Sequence, residues 1–115
     1  MTALVSRDEL AAAITAGRVT VVDALPEAYW AQQHLPGALN LVQDDVDRLA
    51  PTLLPDRHAT VVTYCSNAAC PNSHAVAARL EALGYTDVRR YREGIQDWVE
   101  AGLPVETAES AAVTR

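Results

Sequence analysis

Short β-branched runs, Val19-Thr20-Val21-Val22 and Thr60-Val61-Val62-Thr63-Tyr64, and a further strand from Val88 to Tyr91 alternate with stretches of helical periodicity, and this alternation constrains the fold more than any other feature. An apolar run without polar alternation suits a strand covered on both faces. Strands of that kind, joined through helices, build a parallel sheet with helices on its two sides. The chain is therefore expected to be α/β. Its 115 residues make one domain with one active site.

The segments between the strands fill in this frame. Ser6 and Glu9 form a capping-box pattern, and Leu10 and Ile14 give a short first helix that stops at Gly17. Pro26 to Gln33 is helix-permissive and carries Tyr29 and Trp30, Pro36-Gly37 breaks the chain, and Ala38 to Leu41 is a brief strand. Asp44 to Leu49 reads as a short acidic helix, followed by a loop holding Pro51 and Pro55. A helix from Ser73 to Leu83 presents Val76, Leu80 and Leu83 as an apolar stripe, and a last helix runs from Ile95 to Ala101. Gly84 and Gly102 stand at the expected C-caps. The domain is expected over residues 1–105, with 106–115, which lack periodicity, as a flexible tail.

Charge narrows the partners. The net charge of −6 argues against nucleic acid and anionic membrane, either of which rewards a basic face. No window approaches the ~18 apolar residues of a membrane span, so a cytoplasmic location is expected. Two cysteines are too few for a disulfide framework, which leaves reduced, reactive or metal-binding thiols.

The Thr60 to Tyr64 strand ends on Cys65, and the loop Ser66-Asn67-Ala68-Ala69-Cys70-Pro71-Asn72 leads into the next helix. In open α/β sheets ligands bind beyond the carboxyl ends of the strands. A thiol placed there meets loop N–H groups and the positive end of a helix dipole, which favour its thiolate. Cys65 is thus the candidate nucleophile, against the plainer reading of a buried apolar cysteine. Cys70 reads as a spectator, as a resolving thiol that closes a Cys65–Cys70 disulfide, or as a metal ligand. A zinc site would draw on Cys65, Cys70 and His74 but finds no obvious fourth ligand, and no metal is expected. Asn67, Asn72 and Ser73 can bind an anion or cap the helix, and Ser73 is read as a cap. Of Arg89, Arg90 and Arg92, Arg92 is the candidate for the cation the loop lacks. His34 is read as structural, and Tyr29, Trp30 and Trp98 as core aromatics.

Three segments extend this reading. The first holds Val21-Val22-Asp23, Glu27-Ala28-Tyr29 and His34-Leu35-Pro36-Gly37-Ala38-Leu39-Asn40-Leu41; the second is Val62-Thr63-Tyr64-Cys65. The third holds Leu83-Gly84-Tyr85 with Val88, Gly94-Ile95-Gln96-Asp97-Trp98 and Ala101-Gly102-Leu103-Pro104-Val105. In this order and spacing the chain resembles the rhodanese family of single-domain sulfurtransferases over nearly its whole length. The resemblance implies a central parallel sheet of about five strands flanked by helices on both faces. It also implies that the cysteine matched by Cys65 takes a sulfane sulfur as a persulfide and passes it to a thiophilic acceptor.

The implied donor is thiosulfate or a low-molecular-weight persulfide, and the implied acceptor is a thiol, a cyanide-like molecule or a protein. Neither metal nor organic cofactor is implied. The loop of Ser66, Asn67, Ala68, Ala69, Cys70, Asn72 and Ser73 would supply N–H groups to the charged sulfur or donor anion. Here the loop is longer than the family's common short form, carries a second cysteine and contains no cation, while Leu25 and Glu93 replace a usual Arg and Gly. The alternative is a non-catalytic or redox-sensing module that uses Cys65 and Cys70. A cysteine phosphatase or arsenate reductase needs an Arg six residues after its nucleophile, and position 71 is Pro.

Overall fold

The computed structural model describes residues 2–108, and the β-branched runs form the middle of its sheet. β2 (Thr20–Asp23), β4 (Thr60–Tyr64) and β5 (Asp87–Tyr91) are joined by two edge strands, β1 (Ala3–Leu4) beside β5 and β3 (Leu39–Asn40) beside β2. The order is β1-β5-β4-β2-β3, and each pairing is parallel. β4 is therefore central.

Side chains alternate along a strand, so β4 divides its residues between two cores. Val61 and Cys65 pack with Val22 and Val88 beneath α3 (Val46–Leu53) and α4 (Asn72–Ala82), which contribute Val46, Ala50, Val76 and Leu80. Val62 and Tyr64 face the other way, with Val21, Tyr91 and Trp98, towards α1 (Arg7–Thr15) and α5 (Gly94–Glu100). Helices thus cover both faces, as expected. α1 starts at its capping box: Ser6 Oγ accepts from Glu9 N at 3.1 Å and Glu9 Oε1 accepts from Ser6 N at 3.0 Å.

Several boundaries depart from expectation for physical reasons. The acidic helix starts as a 3-10 turn, Gln43–Asp45, and continues as α3 through Pro51, a residue expected in a loop. Proline forfeits one backbone bond there, and burial of Val46 and Ala50 outweighs the loss. α2 (Glu27–Gln32) buries none of its residues, so Tyr29, expected in the core, is 58% exposed. Trp30 is half-buried, donates to the Ala38 carbonyl at 2.9 Å and stacks on His34 at 4.5 Å. Trp98 is core, as expected.

The expected tail does not begin at 106. Glu106 and His34 exchange backbone hydrogen bonds of 2.8 and 2.9 Å, and Glu106 Oε1 accepts from Gly37 N at 2.8 Å. The remainder of that tail, residues 109–115, lies outside the described residues.

At the carboxyl end of β2 the Asp23 side chain is wholly buried. It accepts from Tyr64 Oη at 2.7 Å and Leu25 N at 2.8 Å, and Tyr64 Oη in turn accepts from Leu35 N at 3.0 Å. Two strands and the turn after α2 are tied at one point, beside the end of the sheet where β4 delivers Cys65.

Candidate active site

Cys65 follows β4 directly, and its side chain shares the α4 face with Val61. It is 1% exposed, whereas Cys70 is half-buried, and both are free thiols. The loop between them folds back on itself through Asn67: Ala69 N donates to Asn67 Oδ1 at 3.0 Å and Cys70 N to the Asn67 carbonyl at 3.1 Å. That turn returns Cys70 to Cys65. Cys65 Sγ lies 3.3 Å from the Cys70 carbonyl oxygen and 3.5 Å from Ser73 Oγ, and Cys70 packs against the buried cluster that holds Cys65.

α4 begins at Asn72 after Pro71, without a side-chain cap, and Ser73 is not the cap expected from sequence. Its wholly buried side chain turns inward to Cys65, and Thr63 Oγ1 holds this turn by donating to the Ser73 carbonyl at 2.9 Å. First-turn N–H groups therefore serve the thiols, Ser73 N–H toward Cys65 and Asn72 N–H toward Cys70. The Asn72 side chain reaches the Ala24 carbonyl at 3.4 Å and ties the helix start to the end of β2.

The other wall is α5. Ile95 N and Gln96 N donate to the carbonyls of Cys65 and Ser66 at 2.9 and 3.0 Å, so the first turn of α5 grips the base of the loop. Gly94, at φ +75°, makes this approach possible, because a Cβ there would lie 2.5 Å from the Cys65 carbonyl oxygen.

The cation at the site is Arg90, not Arg92. Its Nε donates to Ser73 Oγ at 2.8 Å and its Nη2 to the Cys70 carbonyl at 3.4 Å. Arg92 is exposed and pairs with Glu93 at 3.6 Å. Strand parity is the signal that finds it. Arg90 lies two residues beyond Val88 and pairs in register with Thr63, so it shares their face beneath α4. Ser73 Oγ thus stands between Arg90 Nε and Cys65 Sγ, bonded to both.

The two thiols titrate in opposite directions. Burial pushes the Cys65 thiol up, and donation to Cys70 adds to this, outweighing the opposing Ser73 hydroxyl and N–H. Burial alone would raise Cys70 too. There the combined hydrogen bonds from the Cys65 thiol, the Asn72 and Ser66 N–H groups and the Ser66 hydroxyl win, and hold Cys70 below its ordinary value. The thiolate expected at Cys65 is thus favoured at Cys70 in the reduced protein. Around these sulfurs the fold assembles Ser66, Asn72 and Ser73, while Asn67 shapes the turn and Ala68 and Ala69 form its exposed tip. His74 is exposed, and among the described residues no group of three or more His, Cys, Asp or Glu side chains is placed to hold a metal.

A parallel sheet whose central strand ends on a cysteine, roofed by a loop that opens a helix, defines an α/β domain built around a loop-held thiol. The sequence pattern of the rhodanese-like domain matches residues 6–101, and the chain belongs to that family. It is 37% identical over 103 residues to the HTH-type transcriptional regulator Rv0324 of Mycobacterium tuberculosis, an alignment covering 89% of this chain and 44% of that protein. The chain thus spans less than half the length of that relative. A thiosulfate sulfurtransferase from Pseudomonas aeruginosa matches with a TM-score of 0.81 and 26% identity over 91% of this chain and 20% of that one. The BH2092 protein of Bacillus halodurans, 23% identical over 93% of this chain and 78% of that one, shares the fold at a TM-score of 0.83.

Proposed function

We propose that the chain is a sulfurtransferase in which Cys65 takes a sulfane sulfur from a donor and carries it as a persulfide to a thiophilic acceptor. The observation that carries this reading is the placement of Cys65 Sγ at the carboxyl end of the central strand, with Ser73 Oγ 3.5 Å away and Arg90 donating to that hydroxyl. Thiolate attack on the outer sulfur of the donor forms the new S–S bond, and the donor's remainder leaves with the electron pair. The Ser73 N–H, in the first turn of α4, and the Ser73 hydroxyl beside Cys65 Sγ then face the negative charge of the persulfide. Because the nearby cation is shared with Ser73 and the Cys70 carbonyl, a low-molecular-weight persulfide suits the site better than the dianion thiosulfate. The chemistry requires no metal or organic cofactor, and the acceptor is a small thiol or a protein thiol.

A Cys70→Ser protein treated with glutathione persulfide and then weighed intact is expected to gain one sulfur. The Cys65→Ser/Cys70→Ser double variant is expected to gain none. Uptake that survives loss of Cys65, or no uptake from any sulfane donor, refutes the assignment. A second reading draws on the relative named as a transcriptional regulator: the domain reports sulfur or oxidant through Cys65 and Cys70 without turning over. Sustained turnover with excess donor and acceptor favours the enzyme, and a single loading favours the reporter.

A further inference from the structure

We propose that Cys70 discharges the Cys65 persulfide inside the loop, releasing hydrosulfide and leaving a Cys65–Cys70 disulfide. This step rests on the persulfide reading of Cys65 and sets the fate of that persulfide. Cys65 is 1% exposed beneath its own loop, so once the persulfide has formed a thiol of that loop is nearer to Sγ than an acceptor in solution. Cys70 is already there. The Asn67 turn folds the loop back so that Cys70 packs against the cluster holding Cys65, and the Cys70 carbonyl lies 3.3 Å from Cys65 Sγ.

Two independent features make Cys70 the attacking partner. Hydrogen bonding from Cys65, Asn72 and Ser66 holds its thiol below the ordinary value against burial, which favours the thiolate, the nucleophilic form. It is also held against its target within one folded loop, which turns a bimolecular attack into an intramolecular one. In the step, the Cys70 thiolate pair forms a bond to Cys65 Sγ. The bond between Sγ and the sulfane sulfur breaks, and the sulfane sulfur leaves with that pair and its proton as hydrosulfide. The Cys70 sulfur is oxidised to the disulfide level, the sulfane sulfur is reduced to sulfide, and Cys65 Sγ exchanges one S–S bond for another, so charge and atoms balance without an outside oxidant. Ser73 Oγ, 3.5 Å from Cys65 Sγ and backed by Arg90, is placed to donate to the departing anion. A dithiol reductant then attacks the disulfide at Cys70, the more exposed sulfur, and returns both thiols.

The chain so read is a sulfide-releasing persulfide reductase as well as a sulfur carrier, and its loop alternates between dithiol and disulfide according to sulfane-sulfur supply. The test is anaerobic, with the full reduced chain, glutathione persulfide as donor and no added acceptor. Intact mass after thiol alkylation and released sulfide are followed together. Wild type is expected to become lighter than its reduced form by two hydrogens, with neither Cys65 nor Cys70 alkylated and one equivalent of sulfide released per chain. Cys70→Ser is expected to stop at one added sulfur and release none.

A wild type that keeps its added sulfur as long as Cys70→Ser does overturns the internal discharge and leaves the persulfide reading intact. Added sulfur that maps to Cys70 also overturns it, in favour of a relay between the two thiols. No sulfur on Cys70→Ser and no sulfide from wild type removes the persulfide reading and the internal discharge together. Sulfide release by wild type is read without any variant, so a misfolded substitution does not shield the proposal.

Discussion

Arg90 shows how a single residue replaces a feature absent from the loop. Between Ser66 and Ser73 there is no basic side chain, yet a guanidinium reaches the site from β5 because Arg90 lies in register with Thr63. It acts through Ser73, whose hydroxyl it polarises, and not on the sulfur itself. Arg90 is thus a positioning residue. Replacing it with Met keeps much of the side-chain bulk and removes the donor. In a Cys70→Ser background, sulfur uptake at neutral pH is expected to fall about tenfold, equivalent to ~1.4 kcal/mol in the barrier. The loss should shrink toward alkaline pH, where the Cys65 thiolate forms without help. A uniform loss at every pH would mean that Arg90 only holds the loop together. Cys65 and the loop after it are legible in the sequence; which arginine serves them is not, because the answer depends on the pairing register of β5 with β4.

At the scale of elements, the site is a junction of two helix starts on one strand end. The β-branched runs announce β2 and β4, the alternation of strand and helix announces β5, and the apolar stripe announces α4. β1 is silent because two residues carry no periodicity, and it exists only by pairing with Arg89 and Arg90. The role of Ser73 is hidden for a related reason. A serine at a helix start satisfies the capping rule equally well whether it faces the backbone or a neighbouring strand, and only the packing of α4 on β4 decides. Gly94 has no such freedom. Its positive φ and the 2.5 Å approach to the Cys65 carbonyl leave no place for a Cβ, and the two N–H groups after it hold the loop base. Gly94→Ala is expected to cost about 2–4 kcal/mol in urea unfolding and to abolish sulfur uptake by the surviving folded fraction. Wild-type stability and uptake in that variant would show that α5 does not set the loop.

Across the whole molecule, Asp23 joins the sheet centre to the turn after α2, and its state couples stability to pH. Burial pushes its carboxyl above the ordinary carboxylate range, against the lowering effect of the hydrogen bonds from Tyr64 and Leu25 and the nearby His34. A raised pKa in the folded state means that folded protein binds more proton than unfolded protein between the ordinary value and the raised one. Stability from this group is therefore complete below the ordinary carboxylate pKa and is lost as pH climbs through the raised one. Asp47, Asp87 and Glu9 are shifted down by their partners and act in the opposite sense, so the pH profile of wild type alone would mix the two. The difference between wild type and Asp23→Asn isolates the buried carboxyl, because the other groups are common to both. Urea midpoints measured from about pH 4 to pH 7 are expected to show wild type losing ground to the variant as pH rises, with a slope of at most ~1.4 kcal/mol per pH unit. A difference that stays flat, or that grows in favour of wild type with pH, would mean that Asp23 is ionised in the folded protein throughout. Tyr64 would then be donating to a buried carboxylate, and the tie between β2 and β4 would be an ionic one.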